Sequence, residues 1–302
     1  MRARLLDGKR TAELIREDLA GAVRKLMERG CRPHLALTCV GDDPASQVYL
    51  RAKAKACERL GVVSSLHKLP ADSTQERVSR TIQELNEDDS VHGVLLQLPI
   101  PPQLDSDSLI ASIRPEKDVD GFHPVSAGLL ASGTPRFVPC TPLGIVVLLR
   151  RHGIEIPGTH AVILGRSRIV GRPLANLLSI KAPNLDATVT VCHSGTKDLP
   201  ALTRGADLLV AAVGRVGVVT GSMVKPGAVV VDVGMNRVPD PSKKSGYRLT
   251  GDVIFEEAAE TADWITPVPG GVGPMTVAML MVNTVRAAAE HSGAGIEMDY
   301  YV

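Results

Sequence analysis

The chain of 302 residues has few aromatic residues and almost no net charge. Only 3% of its residues are Phe, Trp or Tyr, which argues against a surface that binds nucleic acid by base stacking. Lys and Arg total 34 against 33 Asp and Glu, so no global field attracts nucleic acid or an anionic membrane. No run approaches the roughly 20 apolar residues of a membrane span, and the N-terminal residues lack the apolar core of a secretory signal.

The cysteines are isolated and odd in number. They are Cys31, Cys39, Cys57, Cys140 and Cys192, without any C-x-x-C pair. This spacing argues against a disulfide framework and against a zinc site, so we expect reduced thiols, no metal and a cytoplasmic protein. With 44% hydrophobic residues, the chain can bury a large core in roughly two domains.

Short apolar runs alternate with amphipathic segments along most of the chain, which predicts an α/β protein with a mostly parallel sheet. Glycines such as Gly61 and Gly153 follow the amphipathic segments as expected helix stops. The predicted strands are 33–40, 62–69, 91–98, 160–164, 187–192, 207–213 and 228–233. The predicted helices are 11–29, 46–60, 74–86, 105–113, 141–152, 173–180, 198–204 and 276–290.

A glycine turn, GRSRIVG at 165–171, joins a buried-type strand to a helix. Free backbone N–H groups and the helix dipole point to one place there, which favours phosphate binding. The pattern G-x-S-x-x-x-G departs from the dinucleotide fingerprint G-x-G-x-x-G, so a plain strand-to-helix turn stays open on this motif alone. After the next strand, Ser194 stands near where an NAD site commonly has Asp or Glu. Hydroxyls with Arg166 suit a 2′-phosphate, which favours NADP.

Other polar residues have both a functional and an ordinary structural explanation. Tyr49 and Lys53 share a helix face, although exposed lysines are usually only solvated. Gln97 ends a strand where ligands collect in open α/β sheets, or it caps loop backbone. Asp118 and Asp120 lie in a turn, where aspartates usually bond their own backbone; the alternative is recognition of a ligand edge with N–H donors.

The loop TPVPGGVGPMT at 266–276 is rigid and lets backbone approach a ligand, which favours a binding loop over a linker.

Together these motifs carry a family resemblance. From about Leu6 to Ala289 the chain closely resembles the bifunctional methylenetetrahydrofolate dehydrogenase/methenyltetrahydrofolate cyclohydrolase family. The resemblance implies that a hydride passes from the one-carbon bridge of 5,10-methylenetetrahydrofolate to NADP. Water then adds to the methenyl product to give 10-formyltetrahydrofolate, in one-carbon metabolism and purine biosynthesis. The shared strings are Y-x-x-x-K at 49–53, VLLQLP at 94–99, PEKDVDGF at 115–122, FVPCTPLG at 137–144, GRSRIVGRP at 165–173 and TPVPGGVGPMT at 266–276.

The resemblance also implies roles for single residues. Lys53 would polarise the folate nitrogen and direct the water's proton transfers, Gln97 would orient Lys53, and Tyr49 would stack on the folate rings. Asp120 would accept hydrogen bonds from the pterin's guanidine-like edge. These four are the implied catalytic set. The implied substrate-binding residues are Tyr49, Lys53, Gln97, Leu98, Asp120, Gly270, Gly271 and Pro274. The implied NADP-binding residues are Gly165, Arg166, Ser167, Ile169, Ser194 and Met235.

Two positions depart from the family pattern. Gly195 stands where many relatives have a basic residue, which predicts a looser hold on the 2′-phosphate. Met235 replaces a more usual Ile, a conservative change in volume.

The resemblance implies two domains with the active cleft between them. Residues 1–141 and 275–291 would form the folate-side domain, 142–274 a Rossmann-like NADP-binding domain, and 292–302 a tail. A homodimer is implied, with tetrahydrofolate derivatives as ligands and no nucleic-acid or membrane partner. Two alternatives are a dehydrogenase without cyclohydrolase activity, which intact Lys53 and Gln97 argue against, and a catalytically silent folate or NADP binder.

Overall fold

The computed structural model describes residues 2–243, 246–296 and 300, in two compact units. The first, termed the six-stranded unit after its sheet, comprises residues 2–13 and Thr141–Thr276. The second, termed the three-stranded unit, comprises Leu14–Cys140 and the described residues from 277 onward.

The described elements alternate between strands and helices along the chain. The strands are β1 Arg4–Leu5, β2 His34–Val40, β3 Val63–Leu69, β4 Gly93–Leu96, β5 His160–Leu164, β6 Thr188–Cys192, β7 Leu208–Ala211, β8 Val229–Asp232, β9 Asn236–Pro239, β10 Tyr247–Thr250 and β11 Trp264–Ile265. The helices are α1 Gly8–Glu28, α2 Pro44–Leu60, α3 Gln75–Glu87, α4 Ser106–Ala111, α5 Pro124–Ala131, α6 Cys140–Arg151, α7 Gly171–Leu178, α8 Leu199–Thr203, α9 Phe255–Thr261 and α10 Val272–His291.

The six-stranded unit is built on a parallel sheet with strand order β1-β11-β8-β7-β5-β6. Strand β7 is apolar and buried along its length, and β8 is buried from Val230 onward, as expected for strands covered on both faces. The register pairs Leu164 with both Cys192 and Ala211, the last residues of the neighbouring strands. The loops after β5, β6 and β7 therefore leave the sheet side by side, at the edge where open α/β sheets bind ligands.

The three-stranded unit has a parallel sheet with strand order β3-β2-β4. A short segment joins its edge, since Asp118 forms a parallel bridge with Val94. Because the two segments run in the same direction, Gln97 after β4 and Asp120 after the bridge come to the same edge. Helix α2 starts sharply, with the Asp43 carboxylate accepting a hydrogen bond from the Ser46 N–H at 2.7 Å.

Every predicted strand and helix has a counterpart within a few residues, which confirms the α/β class. The strand predicted at 91–98 is shorter, since β4 covers only Gly93–Leu96. The short elements β1, β9, β10, β11, α5 and α9 were not predicted from the sequence. Because β1 pairs with β11, residues 2–13 belong to the six-stranded unit, whereas the predicted division placed them in the other domain.

Part of the predicted tail is packed against the three-stranded unit. Ala294 and Tyr300 are buried. The Arg29 guanidinium donates to the Ala294 carbonyl, and the Tyr300 hydroxyl donates to Asp18 Oδ2 at 3.3 Å. Residues 297–299 and 301–302 of this segment lie outside the described residues.

Among the described helices, α10 alone is long and apolar enough to cross a membrane by length and composition. However, 72% of its most apolar window is buried within the fold, and the core helix of a globular protein passes the same test.

Candidate active site

A hydrogen-bonded pair, Lys53 and Gln97, lies at the edge of the three-stranded sheet. Lys53 is half-buried on α2, whereas its helix neighbours Arg51 and Lys55 are exposed. The Lys53 Nζ donates to Gln97 Oε1 at 3.0 Å. Lys53 is therefore held in one place, which an ordinary solvated lysine is not, and the predicted orientation of Lys53 by Gln97 has a geometric basis.

Gln97 is itself fixed on both sides. Its backbone N–H donates to the Thr38 carbonyl at 2.8 Å, and its Nε2 donates to the Leu98 carbonyl at 2.6 Å. With Nε2 engaged in this way, the amide oxygen is the atom left to face Lys53. Tyr49 stands one helical turn before Lys53 on α2 and is 41% exposed, so its ring is accessible to a planar ligand.

Asp118 has a structural role in the turn that carries Asp120. Its buried carboxylate accepts hydrogen bonds from Phe122 N at 3.2 Å, His123 N at 2.9 Å and Ser126 Oγ at 2.6 Å. These contacts fix the backbone from Asp118 to the start of α5. Burial raises the pKa of Asp118 to about 6, against the hydrogen bonds, which lower it.

Asp120 is partly buried and lies close enough to Lys53 for their charges to interact. Burial raises the pKa of Asp120, while the positive charge of Lys53 and a hydrogen bond with Cys140 act to lower it. Cys140 is buried in the same place, and burial raises the pKa of its thiol well above the usual range. The structure thus brings the Lys53 ammonium into a hydrogen bond with the Gln97 amide and within charge interaction of the Asp120 carboxylate.

Asn283 on α10 is a member of this neighbourhood that the sequence analysis missed. It is fully buried, and its Nδ2 donates to the Val119 carbonyl at 2.8 Å and to the Val138 carbonyl at 3.1 Å. It therefore ties the backbone beside Asp120 to the segment that leads to Cys140. A lone Asn within a helical apolar run was the only signal of this role.

A second constellation lies at the carboxyl ends of β5, β6 and β7 in the six-stranded unit. A cavity of ≈ 450 Å³ opens there. Its lining includes Gly165, Arg166, Ser167 and Ser194 of the predicted NADP-binding set. The remaining lining residues are Leu164, Cys192, His193, Thr196, Leu199, Ala212, Val213, Arg215 and Val218.

The glycines of the turn after β5 are required by close backbone contacts. Gly165 has φ 114°, and a Cβ there would stand 2.2 Å from the Ala212 carbonyl oxygen. A Cβ on Gly171 would stand 2.1 Å from the Gly165 carbonyl oxygen. Ser167 Oγ accepts a hydrogen bond from Val170 N at 3.1 Å, just before α7 begins. The turn is a narrow cradle of backbone that leads into a helix N-terminus, which fits a dinucleotide phosphate.

The loop after β6 is a turn closed by its own side chains. His193 N donates to Thr196 Oγ1 at 2.8 Å, and Gly195 N donates to His193 Nδ1 at 3.0 Å. Ser194 lies exposed between these bonds and faces the cavity. The loop therefore presents hydroxyl groups where an NAD site would present a carboxylate.

The loop after β7 is held by a buried carboxylate that the sequence analysis missed. Asp252 is fully buried and accepts hydrogen bonds from three consecutive backbone N–H groups, those of Val213 at 2.7 Å, Gly214 at 2.9 Å and Arg215 at 2.9 Å. Asn236 Nδ2 donates to the same carboxylate at 2.9 Å. Asp252 thus fixes the backbone of one wall of the cavity.

Asp232, at the end of β8, supports Asp252 in turn. Its buried carboxylate accepts from Asp252 N and Val253 N, each at 2.9 Å. Burial raises the pKa of Asp232 to about 6. Gly251 and Gly234 have no room for a side chain, since a Cβ on them would stand 1.7 Å from Asp232 Oδ2 and 2.2 Å from Asp252 Oδ1.

The remaining predicted residues lie outside this cavity lining. Ile169 and Met235 are 44% and 38% exposed, and the Met235 methyl group lies near Gly273. Gly270 and Gly271 are explained by the local backbone: Gly270 has φ 114°, which favours glycine, and a Cβ on Gly271 would stand 2.7 Å from the Pro267 carbonyl oxygen. Pro274 lies in the first turn of α10. Their predicted ligand contacts stay predictions.

Two domain models of one family match the chain in succession. The tetrahydrofolate dehydrogenase/cyclohydrolase catalytic domain matches residues 6–120, and the NAD(P)-binding domain of the same family matches residues 139–292. The chain belongs to the tetrahydrofolate dehydrogenase/cyclohydrolase family. Within this family, the Lys53–Gln97 pair falls in the catalytic domain and the cavity falls in the NAD(P)-binding domain.

Relatives of the same family align over nearly the full chain. "Bifunctional protein FolD" of Prosthecochloris aestuarii is 51% identical over 288 residues, covering 94% of this chain and 98% of that protein. A crystal structure of "Bifunctional Enzyme FolD" from Campylobacter jejuni has a TM-score of 0.90 at 48% identity and covers 95% of this chain and 99% of that chain. The Trypanosoma brucei enzyme, solved "complexed with NADP cofactor and inhibitor", has a TM-score of 0.91 at 43% identity over 96% of this chain and 98% of that chain.

Proposed function

We propose that this protein is a bifunctional enzyme. It oxidises 5,10-methylenetetrahydrofolate with NADP and hydrolyses the 5,10-methenyltetrahydrofolate that results to 10-formyltetrahydrofolate. The hydrogen bond between Lys53 Nζ and Gln97 Oε1 carries the proposal, because it holds an ammonium beside Asp120 in a chain that both family domains match. The bifunctional relatives, about half identical over nearly their whole length, support both activities.

The oxidation step needs a hydride acceptor, which NADP supplies when bound. The cavity beside the glycine turn fits such a dinucleotide, since Gly165 and Gly171 let backbone approach a phosphate and the lining carries two guanidinium groups. We propose that Gly165, Arg166, Ser167 and Ser194 hold NADP there. The NADP complex of the related Trypanosoma brucei enzyme supports this cofactor.

Lys53 serves the folate chemistry in this proposal. Loss of hydride leaves a methenyl cation between N5 and N10. One water adds to this cation, and one proton is released as the adduct becomes 10-formyltetrahydrofolate. Held by Gln97, Lys53 can donate a hydrogen bond to a folate nitrogen as the ammonium, and as the neutral amine it can accept the proton that the attacking water releases. Gln97 acts through Lys53 and orients it.

Asp120 and Tyr49 recognise the substrate rather than the reacting carbon. The Asp120 carboxylate suits the paired N–H donors of the pterin edge, and Lys53 helps to keep it charged despite burial. The exposed Tyr49 ring gives a face for stacking. We place Leu98, Gly270, Gly271 and Pro274 in the same substrate contact set on the family resemblance.

The wider setting rests on the family resemblance as well. It supports a homodimer, a cytoplasmic location, a contribution to purine biosynthesis and the absence of nucleic-acid or membrane partners. The domain division with residues 142–274 as the NADP-binding part also belongs to this proposal.

The two activities can be tested separately. Methenyltetrahydrofolate without cofactor should disappear faster with the protein than in buffer alone, and an unchanged rate would overturn the cyclohydrolase half. Methylenetetrahydrofolate should reduce NADP in preference to NAD. Reduction of NAD alone would overturn the cofactor assignment, and reduction of neither would favour a silent binder.

A further inference from the structure

The cavity at the ends of β5, β6 and β7 carries more positive charge than the sequence motif accounts for. Arg166 belongs to the glycine turn, but Arg215, on the loop after β7, also lines the cavity. No Asp or Glu occurs among the described residues that form the lining. Neither guanidinium forms a hydrogen bond or ion pair elsewhere in the described part of the chain. Two cations without protein partners in one cavity indicate an anionic ligand.

The position of Arg215 is built into the fold. Its backbone N–H donates to Asp252 Oδ1 at 2.9 Å, and the two preceding residues donate to the other oxygen of the same carboxylate. Asp252 is buried, and its two carboxylate oxygens accept hydrogen bonds from these backbone groups and from Asn236 Nδ2. The side chain of Arg215 therefore starts from a fixed point on the cavity wall.

Arg215 shares its cavity with the groups expected at the ribose end of a dinucleotide. The pyrophosphate of such cofactors lies at the glycine turn and helix N-terminus, and the adenosine ribose lies beyond the second strand, here β6. Ser194 and Thr196 supply hydroxyls at that position, and the apolar lining residues Leu199 and Val218 suit an adenine ring. Gly195 supplies no basic side chain at the position where the family pattern commonly has one.

We propose that Arg215 is an NADP-specificity residue, which binds the 2′-phosphate of the cofactor from the β7 side together with Arg166. The proposal rests on the proposed NADP-dependent function and adds a residue to it. A guanidinium can offer two parallel N–H groups to phosphate oxygens, so one arginine from a neighbouring loop can replace a basic side chain at position 195.

The test is Arg215→Gln, with direct titration of NADP and NAD onto the protein. A lost charged hydrogen bond to phosphate corresponds to a roughly tenfold to hundredfold weaker Kd. NADP binding should weaken by that factor, whereas NAD binding should change less than about twofold. Arg215→Lys, which keeps the charge but loses the planar fork, should fall between wild type and Arg215→Gln. The charge-matched control is Arg204→Gln, since Arg204 is exposed in the same unit but does not line the cavity.

The outcomes separate this inference from the proposed function. Selective loss of NADP affinity in Arg215→Gln, with Arg204→Gln unchanged, supports the inference. Equal weakening for both cofactors, or no change for either, overturns it. Cofactor-free hydrolysis of methenyltetrahydrofolate reports whether the variant is folded. Wild-type protein that neither binds nor reduces NADP would instead overturn the proposed function.

Discussion

Replacing Asp252 with Asn should loosen the cofactor cavity while leaving the cyclohydrolase activity in place. One carboxylate oxygen accepts from Val213 N and Gly214 N, and the other accepts from Arg215 N and Asn236 Nδ2. An asparagine side chain keeps only one acceptor oxygen. Whichever way the amide is turned, its NH₂ group faces two donors that previously had an acceptor.

The size of the effect follows from these two lost contacts. An unsatisfied buried donor destabilises by roughly 1–3 kcal/mol, so two give an upper range of about 2–6 kcal/mol. Gly214 and Arg215 are exposed, which lets water replace part of the lost bonding. We therefore expect the free energy of unfolding to fall by about 2–3 kcal/mol, within the roughly 5–15 kcal/mol of a typical domain.

The assay compares two activities of the same purified variant. The KM for NADP should rise roughly tenfold, because a wall of the cavity is no longer held in its binding position. Hydrolysis of methenyltetrahydrofolate should continue, because Lys53, Gln97 and Asp120 belong to the three-stranded unit. Asp240→Asn is the control, since the hydrogen bonds of the Asp240 carboxylate within the described residues come from Ser242 of its own turn. An unchanged KM for NADP in Asp252→Asn would refute the positioning role, and equal loss of both activities would indicate general unfolding instead.

Three further substitutions test other parts of the account. Lys53→Ala should abolish cyclohydrolase turnover and retain NADP binding. Its control, Lys55→Ala on the exposed side of α2, should have near wild-type cyclohydrolase activity. Normal hydrolysis by Lys53→Ala would refute the mechanism. Asn283→Leu should lower the free energy of unfolding by roughly 2–4 kcal/mol in urea melts and raise the KM for folate. The reason is that the Val138 carbonyl loses the Asn283 amide as a donor and the Val119 carbonyl keeps the weak Cys140 thiol in its place. An unchanged folate KM would separate Asn283 from the Asp120 turn. Burial raises the pKa of Asp118 from 3.8 to about 6. Between these two pH values the native state therefore keeps a proton on Asp118 that the unfolded state has lost. Relative to Asp118→Asn, wild type should therefore lose stability as pH rises from about 4 to about 6 and stay constant above; parallel urea stabilities at pH 4.5 and 7 would contradict this.

The sequence predicted the fold well where hydrophobic patterning was long enough to read. Strand β5 and helix α2 stand out as a β-branched run and a capped helix, so their predicted ranges are nearly those observed. Strands β1 and β11 have two residues each and form only by pairing with one another and with β8. Elements that exist only through such tertiary pairing leave no local periodicity.

The residues of the candidate sites also differ in whether a local sequence pattern could predict them. Lys53, Gln97 and the glycine turn could be found because each sits in a recognisable string or at the end of an apolar strand. Asp252 and Asn283 could not, because their roles depend on backbone groups brought to them from distant parts of the chain. For Asp118 the sequence left two explanations open, a bond to its own turn and recognition of a ligand edge. In the structure Asp118 bonds its own turn, which also carries Asp120.

Both activities can be measured in one reaction that starts with methylenetetrahydrofolate and NADP, by following reduced cofactor and methenyltetrahydrofolate together. We expect NADP to be reduced with little build-up of methenyltetrahydrofolate, because the same chain hydrolyses this intermediate. Reduction accompanied by an equal build-up of unhydrolysed methenyltetrahydrofolate would contradict the assignment of both activities to this chain, and no reduction at all would contradict its function as an NADP-dependent enzyme.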